Sequence, residues 1–266
     1  MNQQTLLMCH PNYYQVEYQI NPWMRQLNIV KQAQALTQWQ ALQMAIEDCG
    51  GTIEYIEPQP KLPDMTFTAN GGLVVGRQFF VSRFKYEQRQ AEAAWFAQWF
   101  DQHGYQVIEL DGGCFEGNGD AMIMGESIIG GYGWRTDPTV YTALAQNVNY
   151  AVVTCELVDP RFYHLDTCFL PISETQALCY LPALSEASVQ RLTNHHITLI
   201  DIPLEEAQHF AANAIKINQH MIIPSNCPAT QAILESLQFT VHCVDMTEFI
   251  YAGGACRCLT LPLVQG

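Results

Sequence analysis

The strongest constraint on this chain is a pattern that recurs along it. Each copy reads as two short apolar strands joined by a turn, then a stretch with helical spacing, then one more strand. The reading rests on β-branched runs set against a period of about 3.6 residues. The first copy comprises TANGGLVVGRQFFVSRF (68–84), an Ala/Glu/Gln-rich segment at 87–103 and YQVIEL (105–110). The second comprises GDAMIMGESIIGGYG (119–133), a helical segment at 138–146 and YAVVTCEL (150–157). The third has HLDTCFLPI (164–172), ALCYLP (177–182), a helical segment at 185–193 and HITLIDI (196–202). The fourth has AIKINQHMIIP (214–224), a helical segment at 229–237 and FTVHCVDM (239–246).

A repeat of roughly 45–50 residues predicts a cyclic array of small α/β units rather than a doubly wound sheet. A fifth unit is split between the two ends. GGACRCLTLPL (253–263) supplies one strand, while TLLMC (5–9), a helix over 30–48 and TIEYIEP (52–58) supply the rest. Joining them closes a ring and hides sheet edges. An α/β sandwich with incidental internal similarity is the alternative this pattern leaves open. No linker, charge block or low-complexity tract interrupts the 266 residues, so 1–266 is read as a single domain.

Composition narrows the function. Hydrophobic residues make 48% of the chain and charged residues 14%, which excludes a disordered tract. A net charge of -14 disfavours phosphate backbones and anionic lipid surfaces, so neither nucleic acid nor membrane is expected as a partner. It leaves room for a local pocket that takes a cationic small molecule. No apolar run approaches the ~18 residues of a membrane span, and MNQQTLLMCHP lacks the basic start of a secretory signal, so a cytoplasmic setting is expected. Ten cysteines without a single C-x-x-C pair argue for reduced thiols, most of them buried, and against a zinc ribbon.

Polar residues recur where the first strand of each unit begins: Asp64 to Asn70, Glu116 to Asp120, His164 with Asp166, Asn213, and Cys256 after Gly253 and Gly254. In a ring, equivalent strand starts meet near the axis. Cys256 is read as a nucleophile, because two glycines let the backbone approach a ligand and a thiolate is the reactive form. Cys258, two residues on in an expected strand, is assigned to the core. His164 is the acid/base candidate, since imidazole titrates near neutrality. Asp166 would share its strand face. Glu116 would orient His164. Asp64 and Asp166 could grip a planar cation through charge-assisted hydrogen bonds. Arg83 and Arg135 are candidate clamps for a carboxylate. Together they suit an amino acid with a cationic side chain. For any one residue alone, a structural thiol, a satisfied histidine or a surface salt bridge is the alternative.

In this order, PDMTFTAN (63–70), FEGNGD (115–120), GYGWRT (131–136), FYHLDTCF (162–169) and AGGACRCLT (252–260) resemble the pentein superfamily of guanidine-modifying enzymes. That superfamily includes arginine deiminases, dimethylarginine dimethylaminohydrolases and arginine amidinotransferases. The arginine dihydrolase branch is the most similar, also at INPWM (20–24). The resemblance implies a five-bladed α/β propeller. It implies Cys256 as nucleophile, His164 as general acid/base, Glu116 as its orienter, and Asp64 and Asp166 as guanidinium ligands. Phe67 would pack on the substrate chain, with Arg83, Arg135 and Asn21 at the amino-acid end. The implied reaction is hydrolysis of L-arginine through a covalent thiouronium, without metal or organic cofactor, to ornithine, CO2 and ammonia. Citrulline formation, dimethylarginine hydrolysis, amidino transfer and silent arginine binding are the alternatives. Asn70 departs from the acidic residue of arginine deiminases, and Asp166 from the dimethylarginine hydrolases, which lack it. The only expected partner is the small-molecule substrate; self-association is left open.

Overall fold

Residues 4–25 and 29–263 are described by a computed structural model, so the extreme ends of the expected domain lie outside the description. The chain opens with β1 (Thr5–Cys9), α1 (Gln32–Asp48) and β2 (Thr52–Ile56). Next come β3 (Gly72–Val75), β4 (Gln78–Val81), α2 (Glu87–Gln90), α3 (Glu92–Gln102) and β5 (Gln106–Glu109). They are followed by β6 (Ala121–Met124), β7 (Ser127–Tyr132), α4 (Val140–Asn147) and β8 (Ala151–Glu156). The third unit is β9 (Phe169–Pro171), β10 (Gln176–Cys179), α5 (Glu186–Asn194) and β11 (Thr198–Asp201). A short α6 (Leu204–Ala207) leads to β12 (Ile215–Ile217), β13 (His220–Pro224), α7 (Pro228–Ser236) and β14 (Thr240–Val244). The chain then runs through α8 (Thr247–Ile250) to β15 (Leu261–Pro262).

These strands form five three-stranded sheets with one wiring. In β3-β4-β5, β6-β7-β8, β9-β10-β11 and β12-β13-β14 the first strand runs antiparallel to the second, as a tight turn allows. The second pairs parallel with the third, which is reached through a helix. The fifth sheet has the order β15-β1-β2, antiparallel then parallel. Its first strand comes from the C-terminal end, as the split unit predicts. The expected helix over 87–103 is interrupted at Ala91.

Inner strands are buried on both faces, which is why β3 and β4 read as apolar runs rather than alternating ones. Their helices cover the outer side: Phe79 of β4 stacks on Phe100 of α3, with ring centroids 3.6 Å apart. Burying one such ring contributes roughly 1.5–3 kcal/mol. Third strands are half-exposed, and β5 keeps Gln106 and Glu109 in solvent. Among the described residues no helix is long and apolar enough to cross a membrane.

Candidate active site

Short 3-10 turns precede three of the first strands: Thr68–Gly71 before β3, Gly117–Gly119 before β6 and Leu165–Thr167 before β9. Hydrogen bonds tie the five strand-start segments to one another in order. Asn70 Nδ2 donates to the Glu116 carbonyl (3.5 Å), and Glu116 Oε2 meets His164 Nε2 (2.7 Å). Asn213 Nδ2 donates to the Asp166 carbonyl (3.0 Å), and Asn213 Oδ1 accepts from the Cys258 amide (3.1 Å). The Ala69 amide then donates to the Cys258 carbonyl (3.1 Å), which returns to the start. Gly117 permits one of these approaches. Its φ is +58°, and a Cβ there would stand 2.6 Å from the Gly72 carbonyl oxygen.

A narrow buried cavity lies at these segments, lined by Asn21, Asp64, Phe67, Asn70, Arg135 and Cys258, with Arg89 and Tyr163 beside them. Asn21 closes one end, its Nδ2 donating to the Ala252 carbonyl while Oδ1 accepts from the amides of Trp23 and Met24. Phe67 packs edge-on against Tyr14 and Phe249. Asp64 Oδ2 accepts from the Tyr18 hydroxyl at 3.0 Å, but Oδ1 is buried without a partner. Asp166 is wholly buried too: Oδ2 accepts from the Cys258 thiol at 3.2 Å, and Oδ1 has no partner. Burial pushes Asp166 up to about 6 against the pull of Arg257. Burial likewise raises Asp64, although Arg89 and Tyr18 oppose it. Leaving a buried carboxylate oxygen unpaired is costly, so the free Oδ1 of Asp64, which lines the cavity, is an acceptor open to a cationic donor group; Asp166 stands behind the cavity-lining Cys258.

Glu116 is the electrostatic hub behind the cavity. Its Oε2 accepts from Arg135 Nη1 (2.8 Å) and sits on His164, while Oε1 accepts from the Lys85 amide. Burial alone would raise its carboxyl, but Arg135 and His164 hold it well below the usual carboxylate range. Arg135 is sandwiched between the rings of Tyr86 and Tyr163 and donates to the Ile20 carbonyl.

Three expectations need correction. The segment carrying Cys256 and Cys258 is a turn before β15, not a strand, so two-residue alternation does not apply. Asn213 Oδ1 holds the amides of both Ala255 and Cys258 and swings the Cys258 thiol to Asp166. Gly254 lets this turn close on Phe67, where a Cβ would stand 2.6 Å from the ring. Both cysteines belong to the same buried apolar cluster, as expected for Cys258, but only Cys258 also lines the cavity and Cys256 does not. Arg83 is also misplaced. Its backbone pairs with Phe115 and its exposed side chain reaches the Gly113 carbonyl, away from the cavity. Arg89, unmarked in the sequence reading, is the buried arginine: it donates to Asn70 Oδ1 (2.8 Å), to the Asp64 carbonyl and to both oxygens of Glu92. His164 and Asp166 flank a 3-10 turn rather than sharing a strand face, and they serve different partners, Glu116 and Cys258. Among the described residues no hydrogen bond joins either cysteine to His164.

Buried thiol, imidazole–carboxylate pair and unpaired acidic oxygens on five small sheets define the class of guanidino-group hydrolases of the pentein type. More narrowly, the chain belongs to the N,N dimethylarginine dimethylhydrolase family, whose eukaryotic profile matches residues 11–265. It is 39% identical over 267 residues to the bifunctional arginine dihydrolase/ornithine cyclodeaminase ArgZ of Synechocystis sp., covering 98% of this chain but only 38% of that protein. It is 34% identical over 256 residues to the N(G),N(G)-dimethylarginine dimethylaminohydrolase of Mycobacterium tuberculosis, covering 96% and 84% of the two chains. The crystal structure of the product-bound N-terminal domain of ArgZ, an arginine dihydrolase from cyanobacteria, superposes with a TM-score of 0.94 at 38% identity, covering 98% of each chain. These named relatives are hydrolases of guanidino C–N bonds.

Proposed function

We propose that this chain is an arginine dihydrolase, which converts free L-arginine and two waters to ornithine, CO2 and two molecules of ammonia. The observation that carries the reading is the pair of unpartnered oxygens on Asp64 and Asp166, one of them on the carboxylate that holds the Cys258 thiol. An unsubstituted guanidinium offers N–H donors on both edges and satisfies both oxygens at once. Close similarity over the whole ArgZ N-terminal domain supports the same reading. The five sheets would close as a five-bladed propeller around this site, and the chain would act as one catalytic domain.

Cys258, not Cys256, is the nucleophile in this scheme. Burial and the adjacent Asp166 raise its thiol well above the ordinary value, so it is protonated while the site is empty. A guanidinium between the two aspartates supplies the positive charge that favours the thiolate. Sulfur attacks the guanidinium carbon, His164 protonates the departing amino group, and ammonia leaves a thiouronium. His164 then takes a proton from water as it adds to that carbon, and the C–S bond breaks to give citrulline. A second attack on the ureido carbon expels the second ammonia. Hydrolysis of the resulting thiocarbamate releases a carbamate of ornithine, which loses CO2. Glu116 keeps His164 oriented. Arg135 and Asn21 hold the amino-acid end.

Dimethylarginine hydrolysis is the second reading, favoured by the family profile. Incubating the protein separately with arginine, citrulline and dimethylarginine and identifying the products decides between them. Ornithine from arginine is expected; turnover of dimethylarginine alone would overturn the proposal.

A further inference from the structure

We propose that Cys49, His220 and His242 form a binding site for one thiophilic divalent cation of the zinc class, at the junction between α1 and the β12-β13-β14 sheet. Each residue offers one ligand atom, and the three atoms lie within 4.8 Å of one another. His220 Nδ1 and His242 Nε2 are 3.0 Å apart. Two nitrogens on a tetrahedral zinc, each at about 2.0–2.1 Å, stand about 3.3 Å from each other, so the rings need to open only slightly.

The fold holds these donors together without an ion. Cys49 caps the C-terminus of α1, and His220 opens β13. In the parallel pairing of β13 with β14, His242 faces Ile222, so His220 and His242 are diagonal neighbours on one sheet face. Cys49 shares an apolar cluster with Ile46 of α1 and with Ile217, Ile222 and Val244 of the sheet. The thiol is buried while both imidazoles are half-buried, which leaves one side of the site open to solvent.

One sulfur and two imidazole nitrogens select zinc or cobalt over magnesium and calcium. Cys49 binds as the thiolate and gives one proton to solvent per ion, whereas the neutral imidazoles only change tautomer. Three protein donors leave a fourth position for water. None of the three residues lines the catalytic cavity. Bound metal would staple the helix of the split unit to its neighbour and stabilise the folded chain by mass action. The three donors are too scattered in sequence to form a spacing motif, and the site departs from the expectation of a metal-free chain.

Cobalt(II) titration of the full chain tests this, with Cys258→Ser used in parallel to exclude the catalytic thiol. A thiolate-to-cobalt charge-transfer band should saturate at one equivalent in both proteins, with one proton released and with displacement by zinc. Cys49→Ser and His242→Gln should each lose the band while keeping the native circular dichroism, and zinc should raise the melting temperature of the wild-type chain but not of either variant. Absence of a saturable band, its survival in Cys49→Ser, or its loss in Cys258→Ser would overturn the proposal.

Discussion

The thiol of Cys258 donates to Oδ2 of Asp166 at 3.2 Å, while Oδ1 of that carboxylate faces no partner. One side chain thus touches the proposed nucleophile and retains an unused acceptor in a buried site. In the proposed mechanism substrate binding and thiol activation are coupled through it, because a cation that satisfies Oδ1 also favours the thiolate beside Oδ2.

The choice between the two cysteines is the most direct test. Cys258→Ser should abolish turnover with the fold intact, since a hydroxyl is far less acidic than a thiol. Cys256→Ala should retain kcat and lose roughly 1 kcal/mol or more of stability, because it removes a buried sulfur from the core. Steady-state kinetics and thermal melts of both variants read the difference. Full activity in Cys258→Ser would return the role to another thiol.

Reagent charge should matter at the same thiol. Burial keeps Cys258 protonated, so neutral iodoacetamide should label it slowly at neutral pH and faster as pH rises. A haloacetamidine brings its own cation to the two aspartates and should label it much faster, with protection by arginine. Trypsin cuts after Arg257, which separates Cys258 from Cys256 and lets mass spectrometry assign the label. Equal labelling rates for the two reagents would argue against a cation-assisted thiolate.

Asp166 predicts a stability signature. Burial raises its carboxyl to about 6 in the folded chain, above the ordinary value, so the folded state binds the proton more tightly than the unfolded state. The cost of the charged form is therefore complete above about pH 6, shrinks as pH falls through the range between the two values, and disappears only below the ordinary carboxylate value, where both states are protonated. Asp166→Asn should gain roughly 1–3 kcal/mol over wild type on going from about pH 4 to about pH 8, while losing turnover of arginine. Melting curves of both proteins at the two pH values read this. A difference between them that is constant with pH would mean that folding does not raise the Asp166 carboxyl.

The repeat was legible because its period is carried by apolar runs, and those runs are the strands β3 to β14, the first two of each sheet buried and the third half-exposed. Even the split unit showed itself, since TLLMC and the C-terminal LTLPL carry the same signal. Asp64, Asn70, Glu116, His164 and Asp166 were marked because each lies at a strand start, and Phe67 because of the family resemblance. The misplacements have separate origins. Cys256 was preferred over Cys258 because it follows two glycines at the start of an expected strand, with Cys258 deeper, but the segment turns, and Asn213, more than forty residues away, holds that turn. Arg83 was marked because it ends a strand run, whereas Arg89, which the sequence reading did not mark, is drawn inward by Glu92 three residues on in a buried i,i+3 charge pair.

Asn70 carries the last prediction, the product itself. A guanidinium can only donate, so the 2.8 Å contact with Arg89 Nη1 turns the Asn70 oxygen to Arg89; one N–H of its NH2 reaches the Glu116 carbonyl at 3.5 Å, and the other is left as a donor for the cavity that Asn70 lines. That donor can hold the ureido oxygen of citrulline long enough for a second attack. A carboxylate at this position would pair with Arg89, offer no donor, and favour the cationic substrate over neutral citrulline. Wild-type protein should therefore release ornithine from arginine with little free citrulline, and Asn70→Asp should shift the product toward citrulline. Chromatography of both products over time measures the ratio. Citrulline as the sole product of the wild-type chain would reject the dihydrolase reading and leave a single-step deiminase.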